Sequence, residues 1–483
     1  MPWFRRLTAA VAVLCLLAGG GYAIAQAASE AAVVEAIARL RAALGPGAVI
    51  EHGAIRAEPI AGRVRISGLS ISPDSGNPES FLVADVVADG FRPGGTGFLR
   101  LSLHAMRIVV AGEERGRIGS MTIEGLTLPA TDGFALTDIT LDSLDVLDVA
   151  ISHPDWLNGH ALHVGYLHLG GIGGDQEDRF EVSDLVILGP SGANRMSLIE
   201  RLELARLEVV NARLPQAVQA VLEGLPPPVP TGASSALLRG LLVRSPGQDI
   251  LRIDDAEGRN EELEGQDGVL RNTLSVRGMV IGLPASWAAL DGLDELRLTI
   301  TGEGTGNQER GDFDIRSIRV EAEGLGVMDL GYHITGAVLP PAGDPMETGH
   351  LHGLRLVFED SGLVARALAG EARRSGRSAP DVRAQAAEAL DQLQALLNTL
   401  PPAAPAPEPK GASEPPLPNS KLGPRPGAAR SGQALRALLD GGRRLTVIAA
   451  PAAPVPFAEQ ARLMADDDPA ALLRLLGVRI EVQ

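Results

Sequence analysis

Hydrophobic and polar residues alternate along two thirds of this chain, and the alternation breaks at a recurring place. Residues 62–71, GRVRISGLSI, set the spelling: apolar, any, apolar, any, a small or polar residue, then apolar, any, apolar, carried by Val64, Ile66, Gly68, Leu69 and Ile71. The same offsets return at 101–108, 121–128, 162–169, 180–187, 202–209, 274–281 and 313–320. Period two puts one apolar face on a strand, and the three-residue step in the middle of each copy reverses the parity. A β-bulge has this effect, because one extra residue returns the apolar set to the same face while bending the strand. Glycine at the step, as at Gly68, Gly125 and Gly278, suits a bulge or a close backbone approach. The pattern predicts a mainly β fold, a long series of bent antiparallel strands.

The spacing of the copies bears on architecture. Val86, Met106 and Leu126 are twenty residues apart, which fits a meander without intervening helices. Between Phe134 and Ile151 the step tightens to five residues, the spelling of a β-solenoid corner. A curved sheet forming a groove is the preferred reading, with the solenoid as its alternative.

The flanks and breaks divide the chain further. Residues 1–28 carry Arg5 and Arg6 before an uncharged run from Leu7 to Ala28, which reads as a cleaved signal peptide or a membrane anchor. Residues 29–45 follow as a short helix with Val33, Ile37, Leu40 and Leu44 at helical spacing. A first β block spans 46–212, a helix and Pro-rich break 213–232, and a second β block 233–358, interrupted by an acidic loop at 254–268. At 359–400 the period changes to that of a helix pair, with Ser361 and Ser378 as caps. Ten prolines make 401–430 a linker. The last segment, 431–483, reads as a small α/β piece that must dock elsewhere, because its apolar residues are too few for a separate core.

The sequence from the apolar run through the short helix and a Pro-containing turn into G-x-V-x-I-x-G-L-x-I, residues 7–72, resembles the opening of AsmA-like envelope proteins. The resemblance implies a long curved sheet with an apolar groove, and a role in placing or moving lipid between membranes. It brings no catalytic residues with it.

Charge and composition narrow the partners. The net charge of −17 opposes binding to a nucleic-acid backbone. The single cysteine, Cys15, lies in the N-terminal apolar run, so the exported portion would hold together without disulfides. Aromatics are only 3% of the chain, which leaves aliphatic side chains to make the apolar face.

No sequence motif points to an enzyme. His153, His160, His163 and His168 are dense, but parity places His160 and His168 on one face and His163 on the other, so neither metal nor cofactor is expected. His350 and His352 lack a third partner in sequence, and residues 170–175, GGIGGD, are one isolated copy of a calcium repeat. The expected function is that of a protein exported across the inner membrane, periplasmic with its anchor or after cleavage, that binds, shields or transfers lipid. Its expected lipid-facing residues are Val64, Ile66, Leu69, Met106, Leu126, Leu185, Met279 and Ile318. A structural or protein-interaction scaffold in the envelope is the alternative, and an enzyme without a recognisable motif a third.

Overall fold

The computed structural model describes residues 37–38, 41, 48–58, 62–72, 79–91, 98–127, 140–152, 160–172, 178–189, 199–213, 216, 232–266, 268–283, 292–338, 345–398, 439, 444–466 and 468–482. The chain forms two compact units, the first made of Met1–Pro230 and Ser234–Arg252, the second of Thr231–Ala233 and Ile253–Gln483.

The first unit is an antiparallel meander. Its strands are β1 (Val49–Glu51), β2 (Ile55–Glu58), β3 (Arg63–Ser72), β4 (Glu79–Phe91), β5 (Phe98–Val110), β6 (Glu113–Glu124), β7 (Leu141–Ser152), β8 (Ala161–Ile172), β9 (Arg179–Leu188), β10 (Arg201–Val210) and β11 (Ser234–Ser245). β1 and β2 share β3 as partner, and from β3 to β11 each strand pairs with the next. Strand β12 (Gln248–Glu262) crosses the division between the units.

The parity step takes an unexpected form here. Across β3 and β4, Ser67 faces Asp85 and Leu69 faces Val83, so Gly68 and Ala84 are skipped together and the register does not shift. The same level is skipped at Ala105 and Gly119, at Asp148 and Gly165, at Asp184 and Ala205, and at Gly240. Every second strand holds its residue of this row in the left-handed region: Gly68 at φ 58°, Ala105 at 51°, Asp148 at 54°, Asp184 at 54° and Gly240 at 61°. The step in the first unit is therefore a row of paired kinks, except in the copy at 121–128, whose Gly125 lies past the end of β6 while Gly119 takes the place in the row. A bulge inserts a residue in one strand only, whereas here two facing strands turn at the same level and both reverse parity. Small residues in the intervening strands make room. A Cβ on Gly119 would lie 3.0 Å from the Cβ of Asp148, and one on Gly165 would lie 2.9 Å from that of Asp184.

The second unit continues with β13 (Leu270–Gly282), β14 (Glu295–Asn307), β15 (Asp312–Ala322), β16 (Gly326–Thr335), β17 (His350–Asp360), β18 (Arg444–Ala449), β19 (Val455–Pro456) and β20 (Val478–Val482). Strands β13 to β18 pair in sequence, β20 adds to β18, and β19 adds to β17, all antiparallel. Here the bulges expected at 274–281 and 313–320 are present, and two more accompany them. The register shifts between Val276 and Met279, between Glu303 and Gly304, between Ile315 and Ile318, and between His333 and Ile334.

The helices are α1 (Pro345–Thr348), α2 (Leu363–Ser375), α3 (Ala379–Asn398), α4 (Phe457–Ala465) and α5 (Pro469–Leu475). The pair α2 and α3 falls where the change of period places it, with buried Ala372 and Val382. Ser361, however, does not cap α2. Gly362 occupies that place at φ 142°, and the Val364 amide donates to Asp360 Oδ1 at 3.1 Å, because a carboxylate on the preceding strand end reaches the orphan amide first. Ser378 accepts from the Asp381 amide at 3.3 Å as expected, and Asp468 caps α5 by accepting from Ala471 at 2.9 Å. The C-terminal piece docks by adding its strands to β17.

Two further expectations change. The β-solenoid alternative fails, because β7 is one strand paired antiparallel with β6 and β8. The acidic stretch expected to be a loop at 254–268 is β12 as far as Glu262, with a turn only after it. Glu257 and Arg259 pair two residues apart on one face of that strand, which accommodates the charge without a loop. The anchor or signal at 1–28, most of the break at 213–232 and the linker at 401–430 lie outside the described residues. Ile37, Ala38 and Arg41 of the 29–45 segment are helical. No helix among the described residues is long and apolar enough to cross a membrane.

Candidate functional site

The apolar side of the strands is a candidate surface, and its burial varies along the chain. Over β3 to β7 it is closed: Leu103 is 0%, Leu69 1% and Ile123 3% exposed. Ile37 from the N-terminal segment joins this cluster, and Arg41 donates to the carbonyl of Ile50 at 2.8 Å beside it. Five of the eight expected lipid-facing residues, Val64, Ile66, Leu69, Met106 and Leu126, pack in this core.

From β9 onward the face opens. In β9 to β11 the buried apolar residues are Val182 and Leu204, while Phe180, Leu185, Ile187, Leu202, Leu207, Leu238, Leu241 and Val243 are half-buried.

In the second unit the open face is broad and continuous. Across β13 and β14, Val276 faces Ile300 and Met279 faces Leu298; across β14 and β15, Ile300 faces Val320 and Gly302 faces Ile318. The rows run on through Leu330 and Leu356 to Val447 and Ile480, and through Met328 and Phe358 to Leu445 and Val482. Most of these side chains keep part of their surface, with Leu274 43% and Met328 38% exposed. Met279 and Ile318 lie on this face. Leu185 lies on the open part of the first unit. The eight expected residues thus divide into five in the closed core and three on open surface.

The outward faces carry polar clusters. Tyr166 Oη donates to Asp145 Oδ1 at 2.7 Å, His168 Nδ1 lies 2.8 Å from the same oxygen, and Ser143 Oγ donates to Asp145 Oδ2 at 3.2 Å. Burial raises the Asp145 pKa, but the hydrogen bonds from His168 and Tyr166 outweigh it and bring the carboxyl below its ordinary value. Burial first, and then the bond to Asp145, push the Tyr166 phenol up to about 12. Every member of this group is engaged by another, so it joins β7 to β8. Beside it, Arg179 and Arg206 alternate with Glu181 and Glu208 at 2.8–3.2 Å across β9 and β10.

The kink at Gly165 also rearranges the histidines. It puts His163 and His168 on the same outward face, contrary to simple alternation, since His163 faces Ala150 and His168 faces Asp145. His153 lies outside the described residues. In the second unit a third histidine does join His350 and His352: it is His333 on β16, whose ring stacks on His352 at 4.5 Å. Thr335 Oγ1 is 2.8 Å from His352 Nε2, and His350 Nδ1 lies 2.9 Å from the carbonyl of Thr348. Burial, then the neighbouring His333 and His350, lower the pKa of His352. Among the described residues no three His, Cys, Asp or Glu side chains converge to hold a metal ion.

Comparison with known proteins leaves the assignment to the geometry. A family model described only as an uncharacterised protein matches residues 319–409 and 410–483. No curated protein and no solved structure matches the chain.

Proposed function

We propose that the protein works in the cell envelope, exported through its N-terminal segment, and binds the acyl chains of lipid on the apolar face of β13 to β18 and β20. The observation that carries this reading is the set of adjoining apolar rows on that face, among them Val276, Ile300, Val320, Met328 and Phe358, and Ile318, Leu330, Leu356, Val447 and Ile480, most of them only half-buried. A monomeric protein rarely leaves so large an apolar surface without a use. Burial is worth about 25 cal/mol per Å², so an acyl chain laid along a few rows gains several kcal/mol without any polar contact. The resemblance of residues 7–72 to AsmA-like proteins points to the same role.

The scaffold reading has its own support in the closed core of β3 to β7, which leaves no surface for a ligand there. One experiment separates the two. Organic extracts of the full chain purified from membranes are analysed by mass spectrometry, alongside an Ile318→Asp and Leu330→Asp double variant whose sheet is checked by circular dichroism. Lipid carried by the native chain and lost from an intact variant supports binding. A lipid-free native chain that also excludes a fluorescent fatty acid leaves the scaffold reading.

A further inference from the structure

The outward face of the first unit holds a cleft of about 350 Å³ at one end of β6 to β9, on the side that the pattern of apolar residues assigns to water. Its origin lies in side-chain size and register. Arg117 on β6 faces Ala150 on β7, Ala150 faces His163 on β8, and His163 faces Val186 on β9, so the four share one row. One step along, Ser152 faces Ala161 and Ala161 faces Leu188. Ala150, Ser152 and Ala161 are short, which leaves a hollow floored by small side chains. Arg117 and Arg115 stand on one side, and His163, Val186 and Leu188 on the other.

The rim combines charge with exposed hydrocarbon. Arg115 is tied to Glu113, and Glu114, which also lines the cleft, lies 4.0 Å from Arg107. Arg117 and His163 have no hydrogen-bond or ion-pair partner among the described residues. They stand two strands apart, about 10 Å between backbones, which leaves space for a carboxylate or phosphate group between their side chains. Leu188 is 42% exposed at the same rim, a large apolar side chain facing solvent on β9, the strand next to that of His163. A guanidinium recognises carboxylate and phosphate through parallel hydrogen bonds.

We infer that this cleft binds the anionic head of an acyl-chain amphiphile, with Arg117 and His163 on the head and Leu188 and Val186 against the start of the chain. The ligand class rests on the lipid reading above, while the site is separate from the apolar face of the second unit.

The test is calorimetric titration of the full chain with sodium laurate, dodecyl phosphate and the uncharged dodecyl maltoside, each below its micelle concentration. Either anion should bind more tightly than the maltoside. Arg117→Glu should weaken the anions by at least about tenfold, the loss expected for one charge-assisted bond, and Arg117→Lys should restore part of it. Leu188→Asp, a change at an exposed position, should weaken both anions through the lost chain contact. Binding of laurate alone would assign the site to fatty acids, and of dodecyl phosphate alone to a phosphate head. Equal binding of all three amphiphiles unaffected by Arg117→Glu, or binding of none, would overturn the inference. The Ile318→Asp and Leu330→Asp variant should bind the anions here as the native chain does. A chain that carries no lipid yet shows Arg117-dependent binding would therefore sink the reading of the second unit and leave this one standing.

Discussion

Strands β3 to β7 and strands β13 to β17 are written in the same alphabet of Val, Leu, Ile and Met at period two, yet they bury it differently. In the first set Leu103, Leu69 and Ile108 are at most 2% exposed, and Ile37 from the N-terminal segment lies in the cluster. In the second, the corresponding positions at Val276, Ile300, Ile318 and Leu330 are only half-buried. The sets also differ in how they turn. The first reverses parity by a row of paired kinks that preserves register, the second by bulges that shift it. An alternating pattern therefore specifies which side of a strand is apolar, and something outside the strand decides whether that side becomes a core or a surface.

The largest expected effect exploits that contrast. Leu103→Ala should destabilise the first unit by about 2–5 kcal/mol, the range for a fully buried leucine. Leu330→Ala, on the half-buried face, should cost about 1 kcal/mol or less. Urea titrations followed by hydrogen exchange, so that each unit's loss is read on its own peptides, check the difference; equal costs would mean that the second face is as closed as the first.

Next in size is the kink row. Gly165→Val places a Cβ 2.9 Å from the Cβ of Asp184 and should cost about 1–3 kcal/mol through overpacking. Asp184→Gly removes the opposing atom and keeps a residue that tolerates φ 54°, so the double variant should recover part of the loss. Additive costs in the double-mutant cycle would show that the two residues do not oppose each other.

Smaller still is the Asp145 group. Tyr166→Phe should cost about 1 kcal/mol, the usual worth of one hydrogen bond. Since the Asp145 carboxyl lies below its ordinary 3.8, its contribution is present above that pH and is lost as pH falls through the depressed value. Asp145→Asn should flatten this acid limb in a melting-temperature series from pH 5 to pH 2.

The smallest effect concerns His352. Its pKa is lowered from 6.5, so the folded state favours the neutral ring; its contribution is full above pH 6.5 and declines as the pH falls through the depressed value. His352→Gln should reduce the fall in melting temperature between pH 7.5 and pH 5.5, and an unchanged fall would place the sensitivity elsewhere.

Most strands were legible because period two survives even where the chain bends. The form of the bend was not, since a paired kink and a bulge leave the same three-residue step. Aspartate in the left-handed region at positions 148 and 184 is a usable signal, because aspartate visits that region more readily than most residues. The three-residue step itself also marks strands beyond the recurring copies, at Val83 and Val86 and at Val146 and Val149. The acidic run of β12 misled because charge on one exposed strand face resembles a loop in composition. The split of the eight apolar candidates into five buried and three open was beyond the pattern, since burial depends on what packs over a face. The hollow between Arg117 and His163 depends on the register of three strands, which no local spelling encodes.

The central claim is that the apolar face of the second unit is available to lipid. A diazirine-bearing fatty acid is photoactivated on the full chain and the labelled peptides are mapped by mass spectrometry. Label is expected on peptides from β13 to β18, concentrated at positions such as Met279, Ile318 and Leu330, and reduced by competing unlabelled oleate. Label confined to peptides outside the second unit, or absent from the face while present on a control lipid-binding protein, would contradict it.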